Sequence, residues 1–315
     1  MNKFNIKHVI IFGSDAFGSY LLQKQALPTL NKLMKIGAYS LKSRSVIPIF
    51  SVVNWTSIIS GMSPNFHGYT QWNSSEPEIT PVILTPEFKK FPSLFYLLKT
   101  QKPQTTTCAF FRWSQWTKMI ECDLLDHWYN LLMVGDNKKW DGATTHSIYT
   151  TETDNYLVNE EVVTNAITYI KTNKPTLSLI YVNEPDTTGH YIGHDTPEIM
   201  KGVQKIDQWV AKVINMIEND ITMKNNTLFI FCADHGGLGQ GDDCHGNFNL
   251  AECQVPLIFY GAMVKPIGEL KEAIIQYDLA KTLAFIFNLN IPNYANGQII
   301  LSPFTNDETL YEREI

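Results

Sequence analysis

The feature that most constrains this sequence is a regular alternation of short, β-rich apolar runs with longer helical stretches. Several of the short runs are almost wholly apolar, which is typical of parallel strands covered on both faces. Strands are predicted at residues 8–12, 40–46, 107–111, 177–182, 228–233 and 255–260. Helices are predicted at residues 28–36, 52–60, 93–100, 159–171, 197–218 and 277–287. This order predicts an α/β fold with a mostly parallel central sheet and helices on both of its faces.

The stretch from about residue 70 to residue 155 breaks this alternation. It is rich in turn residues and tryptophan, and its hydrophobic periodicity is weak. We predict a single domain over residues 1–315, in which this stretch is a small, loop-rich, cap-like insertion over one end of the sheet. Trp72 and Trp113 are candidates for lining a substrate pocket, although each is equally well explained as an ordinary surface or core residue.

The composition excludes several classes of protein. Hydrophobic residues make up 44% of the 315 residues, which is enough for a large core and argues against disorder. The net charge is −6 and no long basic run occurs, so binding to nucleic acid or to an anionic membrane surface is not expected. The apolar runs fall well short of the roughly 20 residues that a membrane span needs, so no transmembrane helix is predicted.

The first residues and the cysteines bear on the cellular compartment. Residues 1–7 are polar and the apolar run after them is too short for a signal peptide, so a cytoplasmic location is the default expectation. A leader removed ahead of this numbering would imply a periplasmic or other extracytoplasmic location instead. The 5 cysteines are an odd number without a C-x-x-C pair, which argues against a disulfide framework and against a structural zinc knuckle.

Three of the predicted strands are each followed closely by an aspartate, namely Asp15, Asp186 and Asp234. Because ligands of an open parallel sheet bind beyond the carboxyl ends of its strands, we expect these carboxylates to gather at one edge. Carboxylates gathered in this way repel one another unless cations lie between them. The sequence therefore predicts a metal site at this edge of the sheet.

Histidines follow two of these aspartates. His190 lies four residues after Asp186, and His235 follows Asp234 directly. His245 comes ten residues later, in a loop rich in glycine and aspartate. A mixed set of aspartate and histidine ligands suits Zn²⁺ or a similar ion better than Mg²⁺ or Ca²⁺. For each pair alone a helix surface or a turn is the preferred interpretation, and only the joint arrangement favours metal binding.

A candidate nucleophile, Ser51, stands directly before the predicted helix 52–60. Serine is also a favoured N-cap residue, and for Ser51 taken alone this plainer role is the preferred interpretation. A helix N-terminus, however, carries the positive end of the macrodipole and binds phosphate readily. A metal ion beside Ser51 could ionise its hydroxyl, and the amide of Asn54 could point at the same anionic group.

Residues 51–68, SVVNWTSIISGMSPNFHG, resemble the nucleophile segment of the alkaline phosphatase superfamily, closest to its type I phosphodiesterase/nucleotide pyrophosphatase branch. The other motifs of that branch are resembled, in the same order, by residues 184–190 (EPDTTGH), 234–236 (DHG), 245–246 (HG) and 278–283 (DLAKTL). The resemblance covers essentially the whole chain and is weakest over the predicted insertion. It implies an alkaline-phosphatase-like three-layer sandwich.

Carried over residue by residue, the resemblance implies two Zn²⁺ ions or similar divalent ions. One ion would be held by Asp15, Ser51, Asp234 and His235, and the other by Asp186, His190 and His245. Ser51 would attack phosphorus to give a phosphoseryl or nucleotidyl-seryl intermediate, which water would then hydrolyse. Asn54 and the backbone N–H of Val52 would bind a non-bridging oxygen as its charge develops.

Departures from related branches narrow the expected reaction. Ser51 is followed by VVNW and not by the x-Pro-x-Arg of sulfatases, so a sulfatase is not expected. Phe50 stands where alkaline phosphatases have aspartate, and no arginine matches their monoester-binding residue. This favours diesters or leaves a monoester to another cation, for which Arg112 and Lys118 are candidates. We therefore predict a phosphodiesterase or nucleotide pyrophosphatase that acts on a small phosphate ester, with a nucleotide as one candidate. The alternatives are a phosphomonoesterase on the same zinc site and, more remotely, a metal-binding protein without catalysis.

Overall fold

A computed structural model of the chain describes residues 4–24, 26–130, 152–293 and 295–304. The strands are β1 (His8–Ser14), β2 (Ala38–Arg44), β3 (Thr107–Phe111), β4 (His127–Tyr129), β5 (Leu177–Val182), β6 (Thr227–Ala233), β7 (Gln254–Gly261) and β8 (Gly268–Glu269). They form one eight-stranded sheet in the order β4-β3-β5-β1-β6-β7-β2-β8. The six predicted strands are confirmed with ends that differ by two residues at most, whereas β4 and β8 are too short to show a periodic pattern.

The sheet is mostly parallel, as predicted. β1 lies between β5 and β6 and is parallel to both, and β3 and β4 extend the parallel run beyond β5. β7 is antiparallel to its neighbours β6 and β2. The three central strands end in register, because Ser14 pairs with Val182 on one side and with Ala233 on the other. The residues that follow these three strands therefore begin at the same edge of the sheet, side by side.

Helices connect the strands and cover the sheet. They are α1 (Leu21–Lys24), α2 (Pro28–Ile36), α3 (Ser51–Ser60), α4 (Pro64–His67), α5 (Leu94–Gln101), α6 (Trp116–Met119), α7 (Glu152–Asn173), α8 (Asp186–Ile192), α9 (Ile199–Glu218), α10 (Ile221–Lys224), α11 (Leu250–Cys253) and α12 (Asp278–Phe287). The six predicted helices correspond to α2, α3, α5, α7, α9 and α12, and only α7 begins more than two residues from its predicted start. The shorter helices have too few turns for a periodic signal. Among the described helices, none combines the length and the apolar character that a membrane span requires.

Two hydrophobic layers enclose the sheet, because successive side chains of a strand point to opposite faces. In β1, Val9 and Ile11 pack into one layer, while Ile10 and Phe12 pack into the other. The first layer is completed by apolar residues of α3, α5 and α12, and the second by those of α2, α7 and α9. The molecule is therefore the three-layer α/β/α sandwich that the sequence predicted.

The predicted insertion contains elements of the layered core as well as loops. α5 and β3 both lie within residues 70–155, and β3 pairs with β5 in the central sheet. The described residues around them form loops over 68–93, and loops with the short helix α6 and a 3₁₀ turn over 112–126. The rest of the predicted insertion, residues 131–151, lies outside the described residues.

Candidate active site

The ends of β5, β1 and β6 bring the three predicted aspartates to one edge of the sheet. Asp15 and Asp234 follow β1 and β6 directly, and Asp186 is the first residue of α8, four residues beyond β5. The backbone N–H of Asp186 donates to the carbonyl of Asp15 at 3.3 Å, which ties two of the strand ends together. The structure thus places these carboxyl groups side by side, as the strand order predicted.

Asp15, Ser51, Asp234 and His235 form a set that we call the buried cluster. Its centre is Nε2 of His235, which lies 3.5 Å from Oδ1 of Asp15 and 3.3 Å from Oδ2 of Asp234. The hydroxyl of Ser51 lies 3.0 Å from the same nitrogen, and 3.4 Å from Oδ1 of Asp15. All of these side chains are buried, so the Ser51 hydroxyl and its neighbours are shielded from bulk water.

Hydrogen bonds at the rear of the buried cluster fix which atoms face inward. Oδ1 of Asp234 accepts from the backbone N–H of Ala16 at 3.1 Å, and Oδ2 of Asp15 accepts from the Tyr181 hydroxyl. Nδ1 of His235 lies 2.9 Å from the Gly236 carbonyl, so the ring turns Nε2 toward the cluster. One oxygen of each aspartate is therefore held outward, and the other is left facing the centre.

Asp186, His190 and His245 form a second set, the open cluster. Helix α8 places Asp186 and His190 one turn apart, and their atoms Oδ1 and Nε2 are 3.5 Å apart. Nε2 of His245 lies 3.6 Å from Oδ1 of Asp186 and 3.2 Å from Nε2 of His190. The His245 ring also stacks on the ring of His235, with centroids 4.2 Å apart, and this contact joins the two clusters.

Burial and mutual repulsion perturb the ionisation of these groups. Burial, together with the charge of Asp186, raises the pKa of Asp15 to about 7, and burial next to Asp15 raises the pKa of Asp234 well above its usual value. The Asp186 carboxylate raises the pKa of His190 to about 11. In return, and against the effect of burial, the charge of His190 lowers the pKa of Asp186. The carboxyl groups of this edge can all ionise only if positive charge lies among them.

The donor atoms fit divalent metal ions. Oδ2 of Asp234 and Oδ1 of Asp186 are buried, face the clusters, and have no hydrogen-bond partner among the described residues. Groups of three potential ligand atoms lie within 4.8 Å of one another in the sets Asp15–Asp234–His235, Asp186–His235–His245 and His190–Cys244–His245. Carboxylate oxygens combined with imidazole nitrogens are donors that zinc prefers. The unpartnered oxygens are what a bound cation would satisfy.

Ser51 is the first residue of α3 and not its N-cap, which corrects the preferred interpretation of this residue by one position. The N-cap is Phe50, and no side-chain hydrogen bond caps the helix. The Ser51 hydroxyl instead faces the buried cluster, and the N-terminus of α3 points at the same place. Val52 is buried in this first helical turn, where backbone N–H groups have no acceptor within the helix.

The prediction for Asn54 is wrong. Its Oδ1 accepts from the backbone N–H of Val46 at 2.7 Å, and its Nδ2 donates to the carbonyls of Pro48 and Phe50 at 3.3 and 3.1 Å. Both ends of the amide are thus occupied by the segment that leads to Ser51, and none is left to point at an anion. Asn54 stabilises the turn that precedes Ser51, because its amide hydrogen-bonds to backbone groups that no strand or helix satisfies.

The two tryptophans predicted for a substrate pocket occupy different places. Trp113 stacks on Tyr181, with ring centroids 6.2 Å apart, and so lies behind the residue that holds Asp15. Trp72 has 46% of its surface exposed. A cavity of about 600 Å³ lies between the loops at 69–90 and 117–128, and Trp128 lines it, whereas Trp72 and Trp113 do not. Their contact with substrate stays a prediction.

Two residues of the site were missed from the sequence. Tyr181 reads as one more apolar residue of the buried strand β5, yet its hydroxyl bonds to Asp15. Cys244 reads as one of several unpaired thiols, yet its sulfur lies 3.6 Å from Nδ1 of His190. The position of Cys244 next to His245 was the available signal, since residues beside a ligand commonly contact its neighbours.

A comparison with known families accounts for this arrangement. The family model described as type I phosphodiesterase / nucleotide pyrophosphatase matches residues 9–255, a range that contains every residue of both clusters. The chain belongs to the type I phosphodiesterase/nucleotide pyrophosphatase family. Its resemblance to this branch, which the sequence motifs had indicated, is therefore confirmed.

Similar proteins within and around this family support the same placement. The chain is 23% identical over 243 residues to ectonucleotide pyrophosphatase/phosphodiesterase family member 1 of Rattus norvegicus, covering 74% of this chain and 24% of that protein. It is 25% identical over 236 residues to a venom phosphodiesterase of Macrovipera lebetinus, covering 72% and 25%. The chain thus spans about a quarter of the length of these relatives.

The fold is also that of solved structures from this family. An inactive variant of murine ectonucleotide pyrophosphatase/phosphodiesterase 5, in complex with AMP, superposes with a TM-score of 0.68 at 16% identity. The match covers 93% of this chain and 97% of that one. At such low identity the likeness establishes the fold, and the roles of individual residues rest on the geometry described above.

Proposed function

We propose that this protein is a phosphodiesterase or nucleotide pyrophosphatase in which Ser51 is the nucleophile. The observation that carries the proposal is the position of the Ser51 hydroxyl, at the N-terminus of α3 and within 3.4 Å of both His235 and Asp15. A serine in such a place lies beside groups that could hold a cation, which would favour ionisation of its hydroxyl, and next to a dipole that attracts phosphate. Membership of the family supports the same chemistry.

The two clusters would hold two Zn²⁺ ions or similar divalent ions. Asp15, Ser51, Asp234 and His235 would bind one, and Asp186, His190 and His245 the other. When bound, such a pair neutralises the carboxylates, favours ionisation of the attacking hydroxyl, and stabilises charge on the attacking and leaving oxygens. The inward oxygens of Asp234 and Asp186, which accept no hydrogen bond from the described residues, support this assignment.

The residues of the chain itself orient the reaction. Ser51 Oγ attacks phosphorus in line, the bond to the leaving oxygen breaks, and a phosphoseryl or nucleotidyl-seryl intermediate forms. Water then attacks the same phosphorus from the opposite side, which releases product and restores Ser51. The backbone N–H of Val52, at the open end of α3, would bind a non-bridging oxygen, now without the help of Asn54.

A diester substrate is favoured over a monoester. No arginine of the sequence matches the monoester-binding residue of alkaline phosphatases, and a doubly charged monoester is commonly bound by such a side chain. Diesters carry a single negative charge, which the N-terminus of α3 and the bound cations can balance. A nucleotide is a reasonable candidate, since a related protein was solved with AMP. Phosphomonoesterase activity on the same site is the alternative.

The test is a comparison of ester substrates with the zinc-loaded protein. We expect bis(p-nitrophenyl) phosphate and p-nitrophenyl thymidine monophosphate to be hydrolysed at least about tenfold faster than p-nitrophenyl phosphate, in terms of kcat/KM. A preference for p-nitrophenyl phosphate would replace this proposal with a phosphomonoesterase. A protein that binds two ions but hydrolyses none of the three would support a metal-binding role without catalysis.

A further inference from the structure

The three histidines of the clusters differ in what holds the nitrogen that faces away from them. Nδ1 of His235 lies 2.9 Å from the Gly236 carbonyl, and Nδ1 of His245 lies 3.3 Å from the Ile49 carbonyl. A carbonyl can only accept, so each of these rings carries its proton on Nδ1 and turns the lone pair of Nε2 toward the cluster. His190 is the exception, because its Nδ1 lies 3.6 Å from Sγ of Cys244.

The loop around Cys244 is tied to the helix that carries His190. Cys244 is fully buried, its carbonyl accepts from the backbone N–H of Leu238 at 2.8 Å, and its own N–H donates to the Gly241 carbonyl at 3.2 Å. The N–H of Gly241 in turn donates to the carbonyl of His190 at 3.1 Å. The sulfur is therefore held opposite the ring of His190 by backbone bonds.

We propose that Cys244 is a positioning residue for His190. The sulfur of Cys244 accepts a hydrogen bond from Nδ1–H of His190, and this directs Nε2 of the ring toward Asp186 and His245. The inference rests on the proposed function, because it assumes that the open cluster binds a divalent ion. If the proposal holds, the affinity for that ion depends on a thiol that orients His190, whereas backbone carbonyls orient His235 and His245.

The geometry favours this role over direct ligation by the sulfur. Sγ faces Nδ1 of His190, while Oδ1 of Asp186 faces Nε2 of the same ring, 3.5 Å away. One ion cannot reach both sides of a single imidazole. An ion bound by Asp186, His190 and His245 therefore leaves Cys244 outside the coordination sphere, where its sulfur can accept a hydrogen bond.

The experiment compares two substitutions of similar size but opposite hydrogen-bonding capacity. In Cys244→Ser the side chain still accepts from Nδ1, and in Cys244→Val it fills the space but cannot accept. Zn²⁺ affinities are measured on the full chain by competition with a chromophoric chelator, without any turnover assay. We expect Cys244→Val to lower the affinity for the ion of the open cluster about 10- to 100-fold, and Cys244→Ser to lower it only a few fold.

The other ion and a distant thiol provide the controls. The ion of the buried cluster is expected to keep its affinity in both variants. Cys253→Ala removes a buried thiol of α11 that belongs to none of the potential ligand groups, and it should leave both affinities unchanged. Equal affinities in Cys244→Ser and Cys244→Val would overturn the positioning role, because packing alone would then explain the residue.

A spectrum of the Co²⁺-loaded wild-type protein distinguishes the remaining outcome. A positioning residue predicts no thiolate-to-cobalt charge-transfer band. A band that is present in the wild type and lost in Cys244→Ser would make Cys244 a ligand and overturn the proposal. Failure of the proposed function looks different, since the wild type itself would then bind fewer than two ions or hydrolyse no phosphate ester.

Discussion

The buried cluster and the open cluster contain similar side chains, but the fold holds them in different ways. In the buried cluster, Asp15 and Asp234 extend directly from adjacent strands, and their outward oxygens are bound by Tyr181 and by a backbone N–H. In the open cluster, Asp186 and His190 stand on the short helix α8, and 17% and 21% of their side-chain surfaces are exposed. The comparison teaches that a sheet edge fixes ligands rigidly, whereas a short helix and a loop depend on local contacts.

The largest expected effect comes from Ser51 in the buried cluster. We expect Ser51→Ala to lower kcat for a phosphodiester by about 10³-fold or more, because no nucleophile remains within reach of phosphorus. Stopped assays of p-nitrophenol release, with zinc content measured in parallel, check this. Ser60→Ala, at the far end of the same helix, is the matched control and should retain activity. Undiminished hydrolysis by the Ser51 variant would remove the nucleophile assignment.

Replacing one carboxylate by an amide should change the free energy of unfolding of the metal-free protein in opposite directions in the two clusters. The pKa of Asp234 is raised, so its charge costs stability and Asp234→Asn should stabilise the fold at pH 7.5. The pKa of Asp186 is lowered by His190, so its charge contributes stability and Asp186→Asn should destabilise the fold. Urea unfolding in the presence of chelator is expected to show differences on the order of 1–3 kcal/mol.

The same two variants test the assignment of ligands when metal is added. Each variant is expected to lower the affinity for one Zn²⁺ ion by more than about 100-fold and to change the affinity for the other ion far less. Changes of the same sign in both metal-free variants would contradict the contrast between the clusters. Loss of both ions in either variant would show that the clusters form one inseparable site.

The packing behind the open cluster offers a substitution that should disturb it alone. A Cβ atom at Gly189 would lie 1.9 Å from Nε2 of His194, a fully buried ring that also packs against Gly237. Gly189→Ala should therefore shift α8, cost about 1–3 kcal/mol in the free energy of unfolding, and weaken one ion about tenfold. Chemical denaturation and metal titration measure the two effects.

The clash at Gly189 can be checked by relieving it. Adding His194→Ala to Gly189→Ala removes the ring that the new methyl group meets, so the double variant should be more stable than the sum of the single changes predicts. Purely additive losses would mean that His194 does not occupy the place described for it.

The two clusters should release their metal ions at different rates. We expect a chelator to extract one ion at least about tenfold faster than the other, because Asp186 and His190 are partly exposed and the buried cluster is not. Following metal release with a chromophoric chelator should give two phases, of which the fast one is accelerated in Gly189→Ala. A single phase with an amplitude of two ions would contradict the distinction between the clusters.

The smallest expected effect concerns the hydroxyl of Tyr181. Its hydrogen bond stabilises the Asp15 carboxylate and lowers the pKa of Asp15, which burial nevertheless keeps raised, at about 7. Tyr181→Phe should raise the pKa of Asp15 further, so that protons compete with the metal ion up to a higher pH. We expect the pH midpoint of Zn²⁺ binding to rise by about half a unit. An unchanged midpoint would show that the bound ion, and not Tyr181, fixes the ionisation of Asp15.

Much of the fold and of the candidate site could be predicted because both depend on patterns that are local along the chain. Apolar runs such as 177–182 mark buried strands, and the aspartates that follow three of them must meet if those strands are neighbours. Asn54 shows where such reasoning stops. Its spacing from Ser51 is compatible with an amide that points at phosphate. In the structure, however, the amide hydrogen-bonds to backbone groups of the turn before α3.

The sequence by itself determined the α/β class and the order of the elements, because hydrophobic periodicity is a property of neighbouring residues. The candidate ligands and the candidate nucleophile were predicted from motifs that resemble those of a known family. Only the tertiary structure decided that β5, β1 and β6 are adjacent and end in register. It also decided that Tyr181 supports Asp15 and that Cys244 meets His190. These contacts join residues that are far apart in the chain, and packing around the whole sheet sets them.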